Sequence, residues 1–353
     1  MPSPPPPPKP TVLLIGTLTH TNPEWTSLSS KYHLLTFSSG TRTEFLSNCK
    51  SGLYDSVIGC YRSNGSTRYT GPFDAELVDA LPRKWKYIAH NGAGYDTVDV
   101  DACTGRGIAV ANTPGAVDDA TADTGIFLML GALRMAHFSI TALRAGEWLG
   151  QTPRGHDPKG KTLAILGMGG IGRAMAKRAR AFDMRIIYHN RRRLPPSLEL
   201  DAEYVPTLDG LLCRADVLSL NLALNASTRH IIGKAELAKM KRGAVLVNTA
   251  RGGLIDENAL AEALDEGGRV SAVGLDVYED EPRVHEGLVR NQRAFLLPHV
   301  GTYTHETGRE MELLVLRNLQ AAVDEGLMFT LVAEQKGLGW APGVKEVGVE
   351  GKE

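Results

Sequence analysis

The chain has 353 residues, 42% hydrophobic and 22% charged, with a formal net charge of −1. That length suits two domains of ordinary size, and the balanced charge gives no reason to expect nucleic acid or an anionic membrane surface as a partner. Cys49, Cys60, Cys103 and Cys213 are scattered without metal-ligand spacing, so no metal is expected and reduced thiols in a cytoplasmic protein are. No apolar run reaches bilayer-spanning length, and neither a signal peptide nor a peroxisomal tripeptide is expected.

Residues 1–10 are proline-rich, with only Ser3 and Lys9 breaking the run from Pro2 to Pro10, and predict an extended, disordered arm. From residue 11 to 111, short apolar strands alternate with helical patterns. The strands are Thr11–Ile15, His33–Phe37, Ser56–Cys60, Lys86–Ala89 and Ile108–Ala111, with a helix at Phe73–Leu81. Such alternation predicts a parallel sheet covered on both faces, with ligand-binding loops at one edge. One of these loops is His90-Asn91-Gly92-Ala93-Gly94-Tyr95-Asp96. Two glycines around an alanine can aim successive amides at an anion such as a carboxylate; the alternative is a plain turn before a helix. Asn112-Thr113-Pro114-Gly115 reads as a hinge. A long apolar helix, Asp119–Arg134, follows, and its small residues suit packing between two lobes. A polar connection, 146–160, comes next.

Leu163–Leu166 is an apolar strand that runs into Gly167-Met168-Gly169-Gly170-Ile171-Gly172-Arg173. Gly167 allows a sharp turn, Gly169 lets backbone amides approach a pyrophosphate, and Gly172 lets the next helix pack on the strand. Ile171, Ala174, Met175 and Phe182 are expected on one face of that helix. Its N-terminus offers unpaired N–H groups and a partial positive charge to phosphates. Further strands follow at Arg185–His189, Asp216–Leu222, Ala244–Asn248, Ser271–Val277 and Ala294–Leu297, six in all with Leu163–Leu166, and helices at Lys234–Met240 and Glu257–Asp265. The last helix, His305–Glu325, lies beyond this sheet and is expected to return to the first lobe. The fold class is α/β: two doubly wound parallel-sheet domains, a Rossmann cofactor domain (114–301) inserted in a flavodoxin-like substrate domain (11–113 with 302–336). Residues 337–353 are expected to form a loose tail.

In NAD enzymes a carboxylate usually closes the second strand of such a unit. Here that position is Asn190, followed by Arg191, Arg192 and Arg193. A neutral side chain does not repel a 2′-phosphate, and arginine can pair with one. NADP(H) is therefore favoured. NAD(H) stays open because Asn190 can also bond a bare ribose.

Three segments place a reactive residue just past an apolar strand: Arg251 in Asn248–Gly253, Glu281 in Asp276–Pro282 and His299 in Leu297–Thr302. Arg can bridge a carboxylate and a carbonyl oxygen. His can donate a proton to a developing alkoxide and accept one in reverse. A neighbouring Glu would favour the protonated imidazole and orient it. Together these suit hydride transfer to a 2-keto acid.

LGMGGIGRAMAKRA from Leu166, NTARGGLIDENAL from Asn248, GLDVYEDEP from Gly274 and PHVGTYT from Pro298 resemble the D-isomer-specific 2-hydroxyacid dehydrogenase family. The resemblance runs from Thr11 to about Gly326, and HNGAGYD and YHNRRRLP resemble its fungal glyoxylate-reductase or mandelate-dehydrogenase-like branch. It implies Arg251 as the substrate-binding arginine, His299 as the acid/base, and Glu281, rather than Glu279, as the partner of the histidine. It implies that the amides of Ala93 and Gly94 hold the substrate carboxylate. Gly170, Ile171 and Arg173 would meet the pyrophosphate, with Asn190, Arg191 and Arg192 at the adenosine ribose. Thr124, Leu222, Ala223, Thr249, Ala250, Asp276 and Gly301 would line the nicotinamide half. Asp123 stands where the family commonly has Glu, and Ala223 where it commonly has Pro.

The activity so implied is NAD(P)H-dependent reduction of a 2-keto acid to the D-2-hydroxy acid. Glyoxylate and hydroxypyruvate lead, and a bulkier acid such as benzoylformate is the alternative. The lobes are expected to close about the hinge, and a homodimer is expected to form through the long helix and the 146–160 arm. Tyr61-Arg62-Ser63 and Tyr303 are candidates for setting pocket width. The competing classes are a dinucleotide-sensing scaffold of the corepressor kind, which the proline arm could serve, and a formate dehydrogenase. The Arg–Glu–His order argues against the second, because hydride removal from formate needs no histidine acid.

Overall fold

A computed structural model describes residues 8–345. It divides into two compact units, one formed by the chain up to Ala116 and from Thr304 onward, the other by Val117–Tyr303. The boundaries fall two or three residues beyond the 113/114 and 301/302 expected from the sequence.

In the first unit, β1 (Thr11–Ile15), β2 (His33–Phe37), β3 (Val57–Ser63), β4 (Tyr87–Asn91) and β5 (Ala109–Ala111) form one sheet of order β2-β1-β3-β4-β5. Every pairing in it is parallel. Strand periodicity sends alternate side chains to opposite faces. Val12 and Leu14 pack with Val315, Leu316 and Leu319 of the helix His305–Glu325. Leu13 and Ile15 pack with Phe45, Phe73, Leu77 and Trp85 on the other face. Both faces are thus buried, as an all-parallel sheet requires. β3 runs three residues past the expected Cys60, through Tyr61 and Arg62, both fully buried. A charged residue ended the apolar reading where the strand itself continues.

In the second unit, β6 (Thr162–Leu166), β7 (Arg185–His189), β8 (Glu203–Tyr204), β9 (Val217–Leu220), β10 (Ala244–Asn248), β11 (Val270–Leu275) and β12 (Ala294–Leu296) form a sheet of order β12-β11-β10-β9-β6-β7-β8. This corrects the six strands expected: β8 is two residues long, too short to show a period. The order reverses between β6 and β9, and such switch points open a crevice at the strand ends. Leu163 and Ile165 face one core cluster, Ala164 and Leu166 the other.

The helix Asp118–Leu133 packs on the helix Gly170–Arg180 and on β10, β11 and β12, all within its own unit. A Cβ at Gly131 would lie 2.3 Å from the Phe295 ring, so its small residues serve close packing there. The helix Gly170–Arg180 buries Gly172, Met175, Ala176 and Ala179. The expected face of Ile171, Ala174, Met175 and Phe182 is thus turned by about one residue; Ile171 and Ala174 are only partly buried, and Phe182 lies past the helix end.

Within the expected loose tail, residues 343–345 make contacts with the end of the last helix and the strand after it. β14 (Gly343–Val344) pairs in parallel with β13 (Leu327–Met328), and Lys345 bonds the Glu325 carboxylate. Tail residues 346–353 and arm residues 1–7 lie outside the described residues. Pro10 is tied to the sheet, its carbonyl accepting from His33 N–H. Among the described residues no single helix is long and apolar enough to cross a membrane.

Candidate active site

The turn after β6 carries the first part of the site. Gly167 has φ +100°, and a Cβ there would sit 2.6 Å from the Asn221 carbonyl oxygen at the end of β9. Only glycine fits that conformation at so close an approach. A Cβ at Gly172 would meet the Gly167 carbonyl oxygen at 2.4 Å. Gly169 differs, since a Cβ there would meet no protein atom within 4 Å. It caps the helix Gly170–Arg180 without a side-chain bond, no acid lies in the first turn, and Lys177, Arg178 and Arg180 lie in the last. The Asp118 carboxylate lies against Gly170, where a Cβ would clash with it, so the space that fits the pyrophosphate of a dinucleotide is the one over Gly169 at the partly positive helix N-terminus.

Asn190 lies at the end of β7, and its Oδ1 accepts from the Met168 N–H at 2.7 Å. One end of the amide therefore braces the glycine turn, leaving Nδ2 for other partners. Arg193 is drawn back by a two-point bond to Glu199 at 2.8 and 3.1 Å. Arg191 and Arg192 are exposed and make no side-chain bond or ion pair among the described residues.

The strands β10, β11 and β12 are adjacent and parallel, so their C-terminal ends gather Arg251, Asp276 and His299 from distant sequence positions. Buried Asn248 shapes the first turn: its Oδ1 accepts from Ala250 N–H and its Nδ2 donates to the Arg251 carbonyl. Arg251 donates to the Ala250 carbonyl at 2.8 Å. Asp276 accepts from the N–H groups of Val300 and Gly301, both at 2.8 Å. Those bonds pin the loop in which His299 adopts φ +57°, a left-handed conformation costly for a non-glycine residue. Burial raises the Asp276 carboxyl, and the two amide bonds oppose that rise.

His299 Nδ1 lies 2.7 Å from Glu281 Oε2, while Glu281 Oε1 accepts from the Tyr278 N–H. The bond to Glu281 raises the imidazole above its ordinary value, against burial and the nearby Arg251 charge. Burial pushes the Glu281 carboxyl up, but the bonds from His299 and Tyr278 outweigh it and hold the group below its usual range. Glu279 is engaged elsewhere, with Arg229 and His230. The structure therefore joins Glu281, not Glu279, to the histidine. Oriented by Glu281 through Nδ1, the ring has Nε2 left to exchange a proton.

Thr124 Oγ1 lies 3.5 Å from the Gly301 carbonyl, Thr249 is buried past β10, and Leu222 and Ala223 follow β9. Ala93 and Gly94 lie in the first unit, after β4. Arg62 cannot line a pocket as expected: it and Tyr61 are fully buried, and Tyr61 accepts from the Asn91 amide. Tyr303 is 87% exposed. Asn248, Tyr278 and the brace from Asn190 to Met168 escaped the sequence reading. Each acts through a bond to or from the backbone, for which a side chain leaves no distinctive signal.

Residues 126–301 match the family model described as D-isomer specific 2-hydroxyacid dehydrogenase, NAD binding domain. The chain is 63% identical over 327 residues to 4-methyl-2-oxopentanoate reductase A of Aspergillus oryzae, covering 93% of this chain and 99% of that protein. It belongs to the D-isomer-specific 2-hydroxyacid dehydrogenase family. A solved glyoxylate reductase from Paecilomyes thermophila superposes with a TM-score of 0.92 at 63% identity, covering 94% of this chain and all of that one. A 2-hydroxyacid dehydrogenase of this family exchanges hydride between a nicotinamide dinucleotide and a 2-oxo acid, and the chain is such an enzyme. The NADPH-dependent glyoxylate/hydroxypyruvate reductase of Sinorhizobium meliloti, solved with NADP and malonate, has a TM-score of 0.81 at 31% identity, covering 96% of this chain and 99% of that one.

Proposed function

We propose that this enzyme reduces small 2-oxo acids to D-2-hydroxy acids with NADPH as its preferred reductant, glyoxylate and hydroxypyruvate being the leading substrates. The carrying observation is the 2.7 Å contact between His299 and Glu281 at the strand ends that also carry Arg251. When bound, the reduced nicotinamide supplies hydride to the keto carbon. Arg251 binds the substrate carboxylate and carbonyl oxygen and draws electron density from the carbon. His299, held protonated by Glu281, gives its Nε2 proton to the oxygen as negative charge develops there. The amides of Ala93 and Gly94 receive the substrate carboxylate.

Gly167, Gly169, Gly170, Ile171, Gly172 and Arg173 would hold the pyrophosphate. Thr124, Leu222, Ala223, Thr249, Ala250, Asp276 and Gly301 would surround the nicotinamide. The preference for NADPH is supported by Asn190 in place of an acid and by the uncommitted Arg191 and Arg192 beside it. It is also supported by the NADP-bound relative.

The enzyme is further proposed to be a cytoplasmic homodimer. Phe127, Ile140, Leu143, Trp148 and Leu149 are all exposed within one stretch of chain, with Trp148 at 89%. Apolar exposure on that scale favours a partner. The cysteines are all free, and three of them are buried, as suits a reducing compartment.

The test is steady-state oxidation of NADPH and NADH with glyoxylate, hydroxypyruvate, 4-methyl-2-oxopentanoate and benzoylformate, with light scattering for the assembly. No preference for NADPH would refute the cofactor reading. A kcat/KM highest for a branched or aromatic acid would refute the substrate reading.

A further inference from the structure

The loop Gly92-Ala93-Gly94 is held by its carbonyl groups. The Gly92 carbonyl accepts from Thr113 N–H at 3.0 Å, the Ala93 carbonyl from Asn112 Nδ2 at 2.7 Å, and the Gly94 carbonyl lies 3.1 Å from His90 Nε2. In a trans peptide the C=O of one residue and the N–H of the next point in opposite directions. Tying down these three carbonyls therefore turns the N–H groups of Ala93, Gly94 and Tyr95 the other way. Among the described residues none of these amides donates to a protein acceptor, and the three residues are partly exposed.

The third tie depends on which nitrogen of His90 carries hydrogen, and the protein dictates that choice. Arg62 NH1 lies 2.9 Å from His90 Nδ1, and both residues are fully buried. A guanidinium only donates, so Nδ1 must accept and the hydrogen sits on Nε2, facing the Gly94 carbonyl. Arg62 is itself fixed by Thr67 Oγ1 at 2.9 Å and by the Phe73 ring, 4.9 Å from its charged carbon. Gly92 completes the arrangement, since a Cβ there would lie 2.7 Å from His90 Nε2 and 3.0 Å from the Gly94 carbonyl oxygen.

We propose that buried Arg62 and His90 are positioning residues for substrate: Arg62 fixes the Nε2–H tautomer of His90, and His90 holds the Gly94 carbonyl so that the loop amides face the 2-oxo acid carboxylate. This rests on the proposed role of the Ala93 and Gly94 amides and adds the device that aims them. The opposite tautomer would set two lone pairs against each other at Gly94 and release the loop.

The tautomer is read on the unaltered enzyme by 15N NMR with histidine labelling. His90 is expected as the neutral Nε2–H form, and an Nδ1–H form overturns the proposal. His90→Phe is expected to raise KM for the 2-oxo acid about tenfold, with kcat changed less than about threefold and NADPH affinity unchanged, as for lost ground-state orientation. His90→Gln offers both an acceptor for Arg62 and a donor for Gly94, and is expected to recover most of that loss. Gly92→Ala, which wedges the same link, is expected to raise KM as well and covers the case in which His90→Phe does not fold. Unchanged KM in either folded variant, or a fall in kcat alone, overturns the positioning role. An amide-to-ester replacement at Gly94, which deletes its N–H, tests the underlying reading separately. If that leaves KM unchanged, the amides do not bind the carboxylate, whatever the tautomer.

Discussion

Glu281→Gln removes the charge beside the proposed acid. With its oxygen kept toward His299 Nδ1, Gln turns its NH2 toward the Tyr278 N–H, so the variant loses the carboxylate charge of a 2.7 Å contact and also the acceptor for that amide. Hydrogen bonds between neutral groups contribute about 1 kcal/mol and those to charged groups about 1.5–3 kcal/mol. The His299 and Glu281 side chains are 38% and 34% exposed, so solvent screening favours the low end of the difference between the two, a loss of about 0.5–1 kcal/mol for the charge. That corresponds to a fall of roughly two- to fivefold in kcat/KM. The direction in pH follows from the same contact. Reduction needs His299 protonated, so its rate falls as pH rises through the imidazole pKa. Glu281 raises that pKa, so the variant should lose activity at lower pH than the parent. The ascending limb of hydroxy-acid oxidation, which needs the neutral ring, should move down with it. The assay is kcat/KM against pH in both directions for parent and variant at saturating NADP(H). A variant whose limbs coincide with the parent's would show that Glu281 does not govern the proton on His299.

His299→Ala should abolish turnover in both directions while NADPH binding, measured by fluorescence titration, stays within about twofold. Arg251→Lys should lose about a hundredfold in kcat/KM, because a point charge cannot span carboxylate and carbonyl; steady-state kinetics would check it. Asn190→Asp keeps the acceptor for Met168 N–H but sets a negative charge at the proposed 2′-phosphate site. The ratio of kcat/KM for NADPH to NADH should fall by at least about tenfold. Gly167→Ala forces a side chain into φ +100° and toward the Asn221 carbonyl. It should lower Tm, cost more than about 2 kcal/mol by denaturant unfolding and eliminate dinucleotide binding.

Much of this protein is local. The alternation of short apolar strands with helices determined a parallel architecture, because strand period and helix period leave separate marks on neighbouring residues. The glycine turn after β6 was legible for the same reason: one strand, one tight turn and one helix start fall within eleven consecutive residues. Family motifs likewise named Arg251, Glu281 and His299. The motif gave Glu281 rather than Glu279 by resemblance alone; the physical reason lies in the tertiary structure, where the fold sends Glu281 to the imidazole and Glu279 to Arg229 and His230. Arg62 shows the limit most clearly. In sequence it is a charge that ends a strand or lines a pocket. In the fold it is buried, and its direction is set by Thr67, Phe73 and His90. Local patterns report which backbone a residue prefers, whereas the partner of a buried polar group comes from elsewhere in the chain, and only packing brings the two together.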